Sequence, residues 1–221
     1  MAIRRPGQAV MATRTGGPTP EDDGRARQAY VLPLVEGACS VLEVGCGEGK
    51  TLCLLAEPGR LVVGMDISTA CLHKASQADR GLDLVQGDAG HLPLADAAFE
   101  TVLAAEVLEH IPNWQEALEE LFRVARHRIV VTVPYREWLK VFLCPHCHTR
   151  LPLYGHLHRF SRGSFAPWRG RGRFQVSRIG APVGWGAYGR KALTWSHRDG
   201  RHEEVGQQCT GCGVLVSRGV R

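Results

Sequence analysis

The stretch that decides the fold is a short apolar run that breaks into alternating glycines: Val41-Leu42-Glu43-Val44-Gly45-Cys46-Gly47-Glu48-Gly49-Lys50. We expect its first four residues to form a buried strand, because apolar and β-branched residues predominate there. Glycines at every second position then allow a sharp turn and a close approach of the backbone to a ligand. The dinucleotide fingerprint G-x-G-x-x-G is not met, since Lys50 stands where its third glycine would be.

Predicted strands and helices alternate on both sides of this turn. Strands are expected at 41–44, 61–65, 82–85, 99–105 and 128–133, and helices at 25–38, 49–56, 69–78 and 114–126. Ser68 and Asn113 are the expected N-caps of the last two helices. This alternation predicts an α/β fold with a Rossmann-like, doubly wound and mainly parallel sheet. Ligands of such sheets bind beyond the carboxyl ends of the strands, so the residues that follow each strand matter most.

Candidate ligand-binding residues follow four of these strands. The helix after the glycines offers its N-terminus to an anionic group. Asp66 could accept hydrogen bonds from two ribose hydroxyls, or it could only cap a helix. Asp88 could accept a hydrogen bond from an adenine amino group, or it could only stabilise a turn. The complete set is Glu43, Gly45, Cys46, Gly47, Gly49, Asp66, Ile67, Asp88, Ala89 and Glu106.

Residues 41–133 resemble the class I S-adenosylmethionine (SAM)-dependent methyltransferases of type 11, which include enzymes of ubiquinone and menaquinone biosynthesis. The motifs that carry the resemblance are Leu-Glu-Val-Gly-Cys-Gly, Gly-Met-Asp-Ile-Ser, Gly-Asp-Ala-x-x-Leu-Pro-Leu, Phe-Glu-Thr-Val and Val-Leu-Glu-His-Ile. The resemblance implies that the set above binds SAM, with the glycines at its methionine carboxylate and Asp66 at its ribose. It also implies methyl transfer from SAM, with S-adenosylhomocysteine as the product, but it does not fix the substrate. Our first hypothesis is transfer to an oxygen or nitrogen of a small acceptor.

Two histidines are candidates for a catalytic base or for holding the acceptor. His110 follows the fourth strand, beside the expected position of the methyl group. His156 lies in Gly-His-Leu-His-Arg-Phe-Ser, which resembles a segment found after the fifth strand in this family. The alternatives are that His110 bonds the backbone at a helix start, and that His156 binds a metal or caps a helix.

Two C-x-x-C motifs, Cys144 with Cys147 and Cys209 with Cys212, stand in the second half of the chain. Two such turns can give four thiolates to one structural zinc ion. A mixed ligand set with His146 or His148, disulfides and a redox pair are the alternatives. The absence of an export signal argues against disulfides, and the absence of a thioredoxin-like unit argues against a redox pair. The C-P-x-C, the Tyr-Gly-His-Leu stretch and the terminal C-x-x-C resemble a bacterial methyltransferase subgroup.

The chain divides into three predicted parts. We expect residues 1–24 to be a disordered tail, residues 25–135 to be the SAM-binding core, and residues 136–221 to be a substrate-side region that completes the sheet and holds the zinc. No apolar run reaches the about 18 residues of a membrane span, and the first residues lack the apolar segment of a secretion signal. These features predict a cytoplasmic protein without a membrane partner.

Charge is distributed unevenly along the chain. Residues 1–120 contain 9 Lys and Arg against 18 Asp and Glu, whereas residues 121–221 contain 18 against 4. The split favours a small anionic acceptor, although a solvated arginine-rich face would give the same composition. Two further hypotheses stay open. One is an RNA methyltransferase in which Trp168, Trp185 and Trp195 stack on bases, and the other is a non-catalytic SAM-binding protein.

Overall fold

The computed structural model describes residues 8–14, 20–79, 81–179, 207–208 and 215–216. The strands are β1 (Gln8–Arg14), β2 (Ser40–Val44), β3 (Leu61–Asp66), β4 (Asp83–Gln86), β5 (Phe99–Ala105), β6 (Ala125–Pro134), β7 (Val141–Leu143), β8 (Arg150–Pro152), β9 (Arg173–Ile179), β10 (Gln207–Gln208) and β11 (Leu215–Val216). The helices are α1 (Pro20–Val35), α2 (Lys50–Leu55), α3 (Thr69–Ala78) and α4 (Trp114–Val124). Short 3₁₀ turns cover Leu108–His110, Leu153–Gly155 and Ala166–Arg171.

Seven strands form one sheet in the order β4-β3-β2-β5-β6-β1-β9. Every neighbouring pair in this sheet is parallel. Two antiparallel pairs, β7 with β8 and β10 with β11, lie outside it. The central parallel sheet with flanking helices is the Rossmann-like architecture that the alternating sequence predicts.

Both faces of the sheet are buried, and successive residues of each strand contribute to opposite cores. Val102 and Ala104 pack with α4 on one face, whereas Leu103 between them packs with α1 and α2 on the other. The same alternation places Ile129 in the first core and Val130 in the second. A strand covered on both faces needs apolar residues at every position, which explains the continuous apolar runs in the sequence.

The bounds of α2, α3 and α4 agree with the predictions to within two residues, whereas α1 covers Pro20–Val35 where a helix over 25–38 is predicted. Ser68 caps α3 as predicted, since its Oγ accepts the Cys71 backbone N–H at 3.3 Å. Asn113 occupies the predicted N-cap position of α4, but its side chain makes no capping hydrogen bond to the backbone. Its Nδ2 donates instead to Glu116 Oε2 at 3.3 Å. No helix in the described part of the chain is both long and apolar enough to cross a membrane.

The N-terminal segment differs from the predicted disordered tail of residues 1–24. β1 lies between β6 and β9, in parallel register with both, and α1 begins at Pro20. The physical reason is that residues 8–13 lack charge, glycine and proline, so they can occupy a strand position with a partner on each side. The sheet is thus completed beyond β6 by β1, which precedes the other strands in sequence, and by β9, which follows β8.

Residues 135–160, which we call the excursion, leave the sheet after β6 and return to the same place. Tyr135 and Phe160 form a parallel bridge, and the Arg136 backbone N–H donates to the Phe160 carbonyl at 2.8 Å. Phe160 is buried against Trp114 and Phe165, with ring centroids 5.0 and 5.4 Å away. The excursion contains the β7–β8 hairpin and both histidines of the Gly-His-Leu-His segment.

Candidate cofactor and acceptor site

A cleft of about 550 Å³ lies at the carboxyl ends of β2, β3 and β5. That volume is within the range of roughly 300–1,000 Å³ that is usual for small-molecule sites. Seven of the predicted site residues line it: Gly45, Asp66, Ile67, Asp88, Ala89, Glu106 and His110. Ten residues outside the predicted set also line the cleft: Val44, Met65, Gly87, Gly90, His91, Val107, Ile111, Pro112, Asn113 and Glu116.

The glycine turn after β2 contacts the loop after β5. Gly45 has a φ of 70°, and a Cβ built on it would lie only 2.4 Å from Val107 Cγ2. The backbone N–H groups of Gly45 and Cys46 both donate to the Met65 carbonyl, at 2.7 and 3.0 Å. Glycine is therefore required at position 45 both for its backbone conformation and for this close approach.

Asp66 connects the glycine turn to the start of α3. Its Oδ2 accepts the Gly47 backbone N–H and its Oδ1 accepts that of Ser68, each at 2.8 Å. An ionised carboxylate offers about four acceptor sites, so these two bonds leave capacity for ligand hydroxyls on the cleft side. The two interpretations of Asp66, a backbone-capping residue and a ribose acceptor, are compatible in this geometry.

Asp88 and Ile67 lie at the far side of the cleft. Asp88 Oδ1 accepts the Gly90 backbone N–H at 2.9 Å, which is the turn-stabilising bond expected of the alternative interpretation. The side chain is exposed and still lines the cleft. Ile67 is 68% exposed although it is apolar, so it offers a surface that a planar ring could cover.

Four predicted cofactor residues do not line the cleft: Glu43, Cys46, Gly47 and Gly49. Glu43 is only 3% exposed, and burial raises its pKa to about 8, against the opposing effects of the Arg27 charge and a hydrogen bond with Thr51. Burial and the negative charges of Glu43 and Asp66 raise the pKa of the Cys46 thiol to about 12. The thiol is therefore neutral at ordinary pH and is no nucleophile.

The structure brings the two predicted histidines together. The rings of His110 and His156 meet edge to face with centroids 4.8 Å apart. His110 Nδ1 lies 3.3 Å from the Gly155 carbonyl, and His156 Nδ1 lies 2.5 Å from Glu137 Oε2. Burial and the neighbouring His156 lower the pKa of His110. His156 itself does not line the cleft, and it reaches the site through His110.

Glu109 and Glu137 are two site residues that the sequence reasoning did not single out. Glu109 is fully buried, and neither of its carboxylate oxygens has a hydrogen-bond partner among the described residues. Burial, with the negative charges of Glu106 and Glu137, raises the pKa of Glu109 to about 9. The Val-Leu-Glu-His-Ile motif contains Glu109, so the motif was a signal, but its burial was not visible in the sequence.

The first C-x-x-C motif forms the turn of the β7–β8 hairpin. Cys144 is buried, and its backbone N–H donates to the Thr149 carbonyl at 2.9 Å. The His148 backbone N–H donates to the Cys144 carbonyl, also at 2.9 Å, and His148 has a left-handed φ of 56°. The second motif, Cys209 with Cys212, lies outside the described residues.

Trp168 is not available to stack on RNA bases, which corrects that part of the RNA hypothesis. It is 8% exposed within the core around α4, and its Nε1 donates to Glu119 Oε1 at 2.8 Å. An indole with its ring in the core and its N–H bonded serves packing. Trp185 and Trp195 lie outside the described residues.

Residues 42–130 match the family model described as a methyltransferase domain. This span begins in β2 and ends in β6, so it contains the glycine turn, Asp66, Asp88 and the loop after β5. The match and the parallel sheet together support a class I methyltransferase domain that uses SAM.

Curated relatives agree with that class. A probable SAM-dependent methyltransferase of Mycolicibacterium smegmatis is 36% identical over 86 residues, covering 39% of this chain and 34% of the relative. A demethylmenaquinone methyltransferase of Lactobacillus johnsonii is 33% identical over 113 residues, covering 47% and 46%. The chain thus spans between a third and a half of the length of these relatives. Among solved structures, the YcgJ protein of Bacillus subtilis is 22% identical with a TM-score of 0.47, over 50% of this chain and 51% of that one.

Proposed function

We propose that this protein is a SAM-dependent methyltransferase that acts on an oxygen or nitrogen of a small, anionic acceptor. The observation that carries the proposal is the convergence of Gly45, Asp66, Asp88 and Glu106 on one cleft at the strand ends. SAM supplies the activated methyl group on its sulfonium. The protein then has to align donor and acceptor and to exclude water, which needs little covalent chemistry from its side chains.

The residues of the cleft fit SAM. The contact between Gly45 and Val107 leaves no room for a Cβ, so the backbone itself forms this wall. Asp66 has acceptor capacity for the ribose hydroxyls, Ile67 offers an apolar surface to the adenine, and Asp88 can accept from its amino group. The glycine turn also contains or contacts four predicted residues that do not line the cleft: Glu43, Cys46, Gly47 and Gly49. We assign them an indirect role in cofactor binding.

His110 and His156 are the residues that we propose to hold or deprotonate the acceptor. The contact of His156 Nδ1 with Glu137 favours the tautomer in which Nδ1 carries the proton and Nε2 has a free lone pair. That nitrogen could accept a proton from an acceptor hydroxyl or ammonium group. The excess of Lys and Arg in residues 121–221 supports an anionic acceptor.

We also propose a structural zinc ion bound by Cys144, Cys147, Cys209 and Cys212. The two hairpins around these motifs have the same register. Leu143 pairs with Arg150 and Gln208 pairs with Leu215, so each motif begins directly after a first strand and ends three positions before the second. This shared register supports equivalent thiolate turns, two of which complete a tetrahedral site. Reduced thiolates also fit a cytoplasmic location, which stays a prediction.

Calorimetry with SAM, followed by an assay of S-adenosylhomocysteine release with a panel of small anionic acceptors, tests the function. The sharpest variant is Gly45→Ala, which introduces the clash with Val107. Gly59→Ala is its matched control, because Gly59 also has a positive φ, of 82°, but has open space around it. We expect SAM binding in the wild type and in Gly59→Ala, and its loss in Gly45→Ala. Equal SAM affinity in the two variants would overturn the assignment of the cleft.

Elemental analysis tests the zinc proposal separately. We expect the zinc content to fall by one ion per chain in Cys144→Ser and to stay unchanged in Cys53→Ser, since Cys53 lies in α2, away from both motifs. An unchanged zinc content in Cys144→Ser would refute the thiolate site.

A further inference from the structure

Three metal-ligating side chains converge beside the acceptor end of the cleft. Glu109, His110 and His156 each offer one ligand atom, and these atoms all lie within 4.8 Å of one another. Ligands of a tetrahedral zinc ion at about 2.1 Å from the metal lie roughly 3.4 Å apart. The widest separation in the cluster therefore has to shorten by about 1.4 Å to match such a set.

The carboxylate of Glu109 is the member of the cluster that calls for a cation. It is 0% exposed, and both of its oxygens are without hydrogen-bond partners among the described residues. Arg27 is the nearby positive charge, but it donates no hydrogen bond to this carboxylate, and its own Nε is also buried without a partner. A buried carboxyl group either keeps its proton or, once ionised, is paired or coordinated to a metal, because an isolated buried charge is costly.

Each histidine has a hydrogen-bond partner at Nδ1, as histidines that bind a metal through Nε2 usually do. His156 Nδ1 faces Glu137 Oε2 at 2.5 Å, and His110 Nδ1 faces the Gly155 carbonyl at 3.3 Å. In metal sites, a ligating histidine typically donates its other ring N–H to a carboxylate or a backbone carbonyl. Here both histidines have such a partner at Nδ1, which leaves both Nε2 lone pairs available.

We propose that Glu109, His110 and His156 form a site for a divalent transition-metal ion, with an open coordination position toward the cleft. Two imidazoles and one carboxylate suit zinc, cobalt and related ions, and three protein ligands leave a position for an exogenous oxygen. Because His110 lines the cleft, that position would take a hydroxyl or carboxylate oxygen of the acceptor. With both Nε2 lone pairs on the metal, the histidines would hold the acceptor through the ion and would not act as bases. Only this last step, the identity of the occupant, rests on the proposed methyltransferase function.

Cobalt titration of the full-length protein loaded with only one zinc ion per chain tests the site. Soft thiolate ligands select zinc, so this single equivalent fills the Cys motifs and leaves the second site for added Co²⁺. We expect one Co²⁺ per chain by calorimetry, with d–d absorption bands and without the charge-transfer bands of thiolate ligands. Affinity should fall at least tenfold in Glu109→Gln and His156→Gln, and about 10- to 100-fold in Glu137→Gln, which removes only the contact that orients His156.

His158→Gln is the matched control. His158 lies on the same loop, and its Nε2 contacts the Ile111 carbonyl at 2.8 Å, a contact that the glutamine amide can replace. Co²⁺ affinity should be unchanged in this variant. Because Glu109→Gln alters a fully buried residue, near-UV circular dichroism checks its fold, and His156→Gln and Glu137→Gln carry the test if it misfolds. No Co²⁺ uptake by the wild type, thiolate charge-transfer bands alone, or equal affinity in His156→Gln and the wild type would overturn the proposal.

The same samples separate this inference from the function. SAM binding without Co²⁺ binding would remove the metal site and leave the methyltransferase proposal intact. Co²⁺ binding without SAM binding would have the opposite meaning, since the metal site would stand and the cofactor assignment would fall.

Discussion

The cofactor edge of the sheet and the excursion use polar residues in different ways. At the cofactor edge, carboxylates accept backbone N–H groups two positions on, as Asp66 does from Ser68 and Asp88 does from Gly90. In the excursion, polar groups meet across long separations, and His110 contacts Gly155, 45 positions away. The first region is coded largely in short motifs, although Asp66 also accepts the Gly47 N–H from 19 positions earlier. The contacts of the second region form only once the chain has folded.

The largest expected effect comes from a substitution that weakens the packing of the excursion against the core. Phe160→Ala empties a fully buried site between Trp114 and Phe165, and we expect it to lower the free energy of unfolding by about 3–5 kcal/mol. Methyl transfer should be lost, whereas SAM affinity in the folded fraction should be unchanged. Urea unfolding and calorimetry measure the two effects.

Phe122→Ala is the control for that experiment. Phe122 is partly buried on α4 and packs at the edge of the same core. It should cost less stability and should preserve methyl transfer. If SAM affinity fell together with stability in Phe160→Ala, the two regions would not be separable.

The next effect concerns the pH dependence of stability at the cofactor edge. The pKa of Glu43 is raised from its ordinary 4.5 to about 8, so between these values the native state keeps a proton that the unfolded state has lost. Stability should therefore be greatest below about pH 4.5 for this group and should fall as pH rises to about 8.

Glu43→Gln should remove its share of this decline, on the order of 3 kcal/mol between pH 5 and pH 9. Urea unfolding at several pH values measures it. The control is Glu48→Gln, because Glu48 is exposed and its pKa is lowered by Lys74, which gives a small effect of opposite sign. A wild-type pH profile retained in Glu43→Gln would contradict the prediction.

A smaller effect is expected when Asp66 is removed. Asp66→Ala strands the N–H groups of Gly47 and Ser68 and any ribose hydroxyls, so SAM affinity should fall by about 1–3 kcal/mol. Asp79→Ala is the matched control, since Asp79 also accepts a backbone N–H two positions on, from Gly81 at 2.8 Å, but does not line the cleft. Equal SAM affinity in the two variants, measured by calorimetry, would count against the ribose role.

The smallest effect is expected at Asp88. Its proposed bond to the adenine amino group is worth about 0.5–1.5 kcal/mol. Asp88→Ala should weaken the binding of S-adenosylhomocysteine by that amount and leave unchanged the binding of its inosine analogue, which lacks the amino group. Competition binding compares the two ligands. Equal losses for both ligands would instead attribute the effect to the turn at Gly90.

Much of the core was predictable from sequence because its information is local. Short patterns of apolar residues, glycines and caps predict the glycine turn, the Ser68 cap and the five strands β2 to β6. β1 could not be predicted from local sequence, because a short uncharged segment is compatible with a tail and with a strand. It forms a strand here because it pairs with β6 on one side and with β9 on the other.

The acceptor end of the site was predictable only in part. His110 and His156 were found through motifs, but their contact depends on the return of the chain at Phe160. Glu109 and Glu137 gave no separate signal, because burial and pairing across 19 positions are properties of the folded chain. Residue types identify candidate chemistry, and the fold determines which candidates meet.

The bridge between Tyr135 and Phe160 makes the excursion a segment that could be exchanged as a whole. Its two ends are neighbours, so a replacement segment of another length could be spliced between them without disturbing the parallel strands. Glu137 and His156 both lie within the excursion and would be exchanged together with it. Exchange of this one segment between homologous chains would thus move Glu137 and His156 together and leave the parallel strands unchanged.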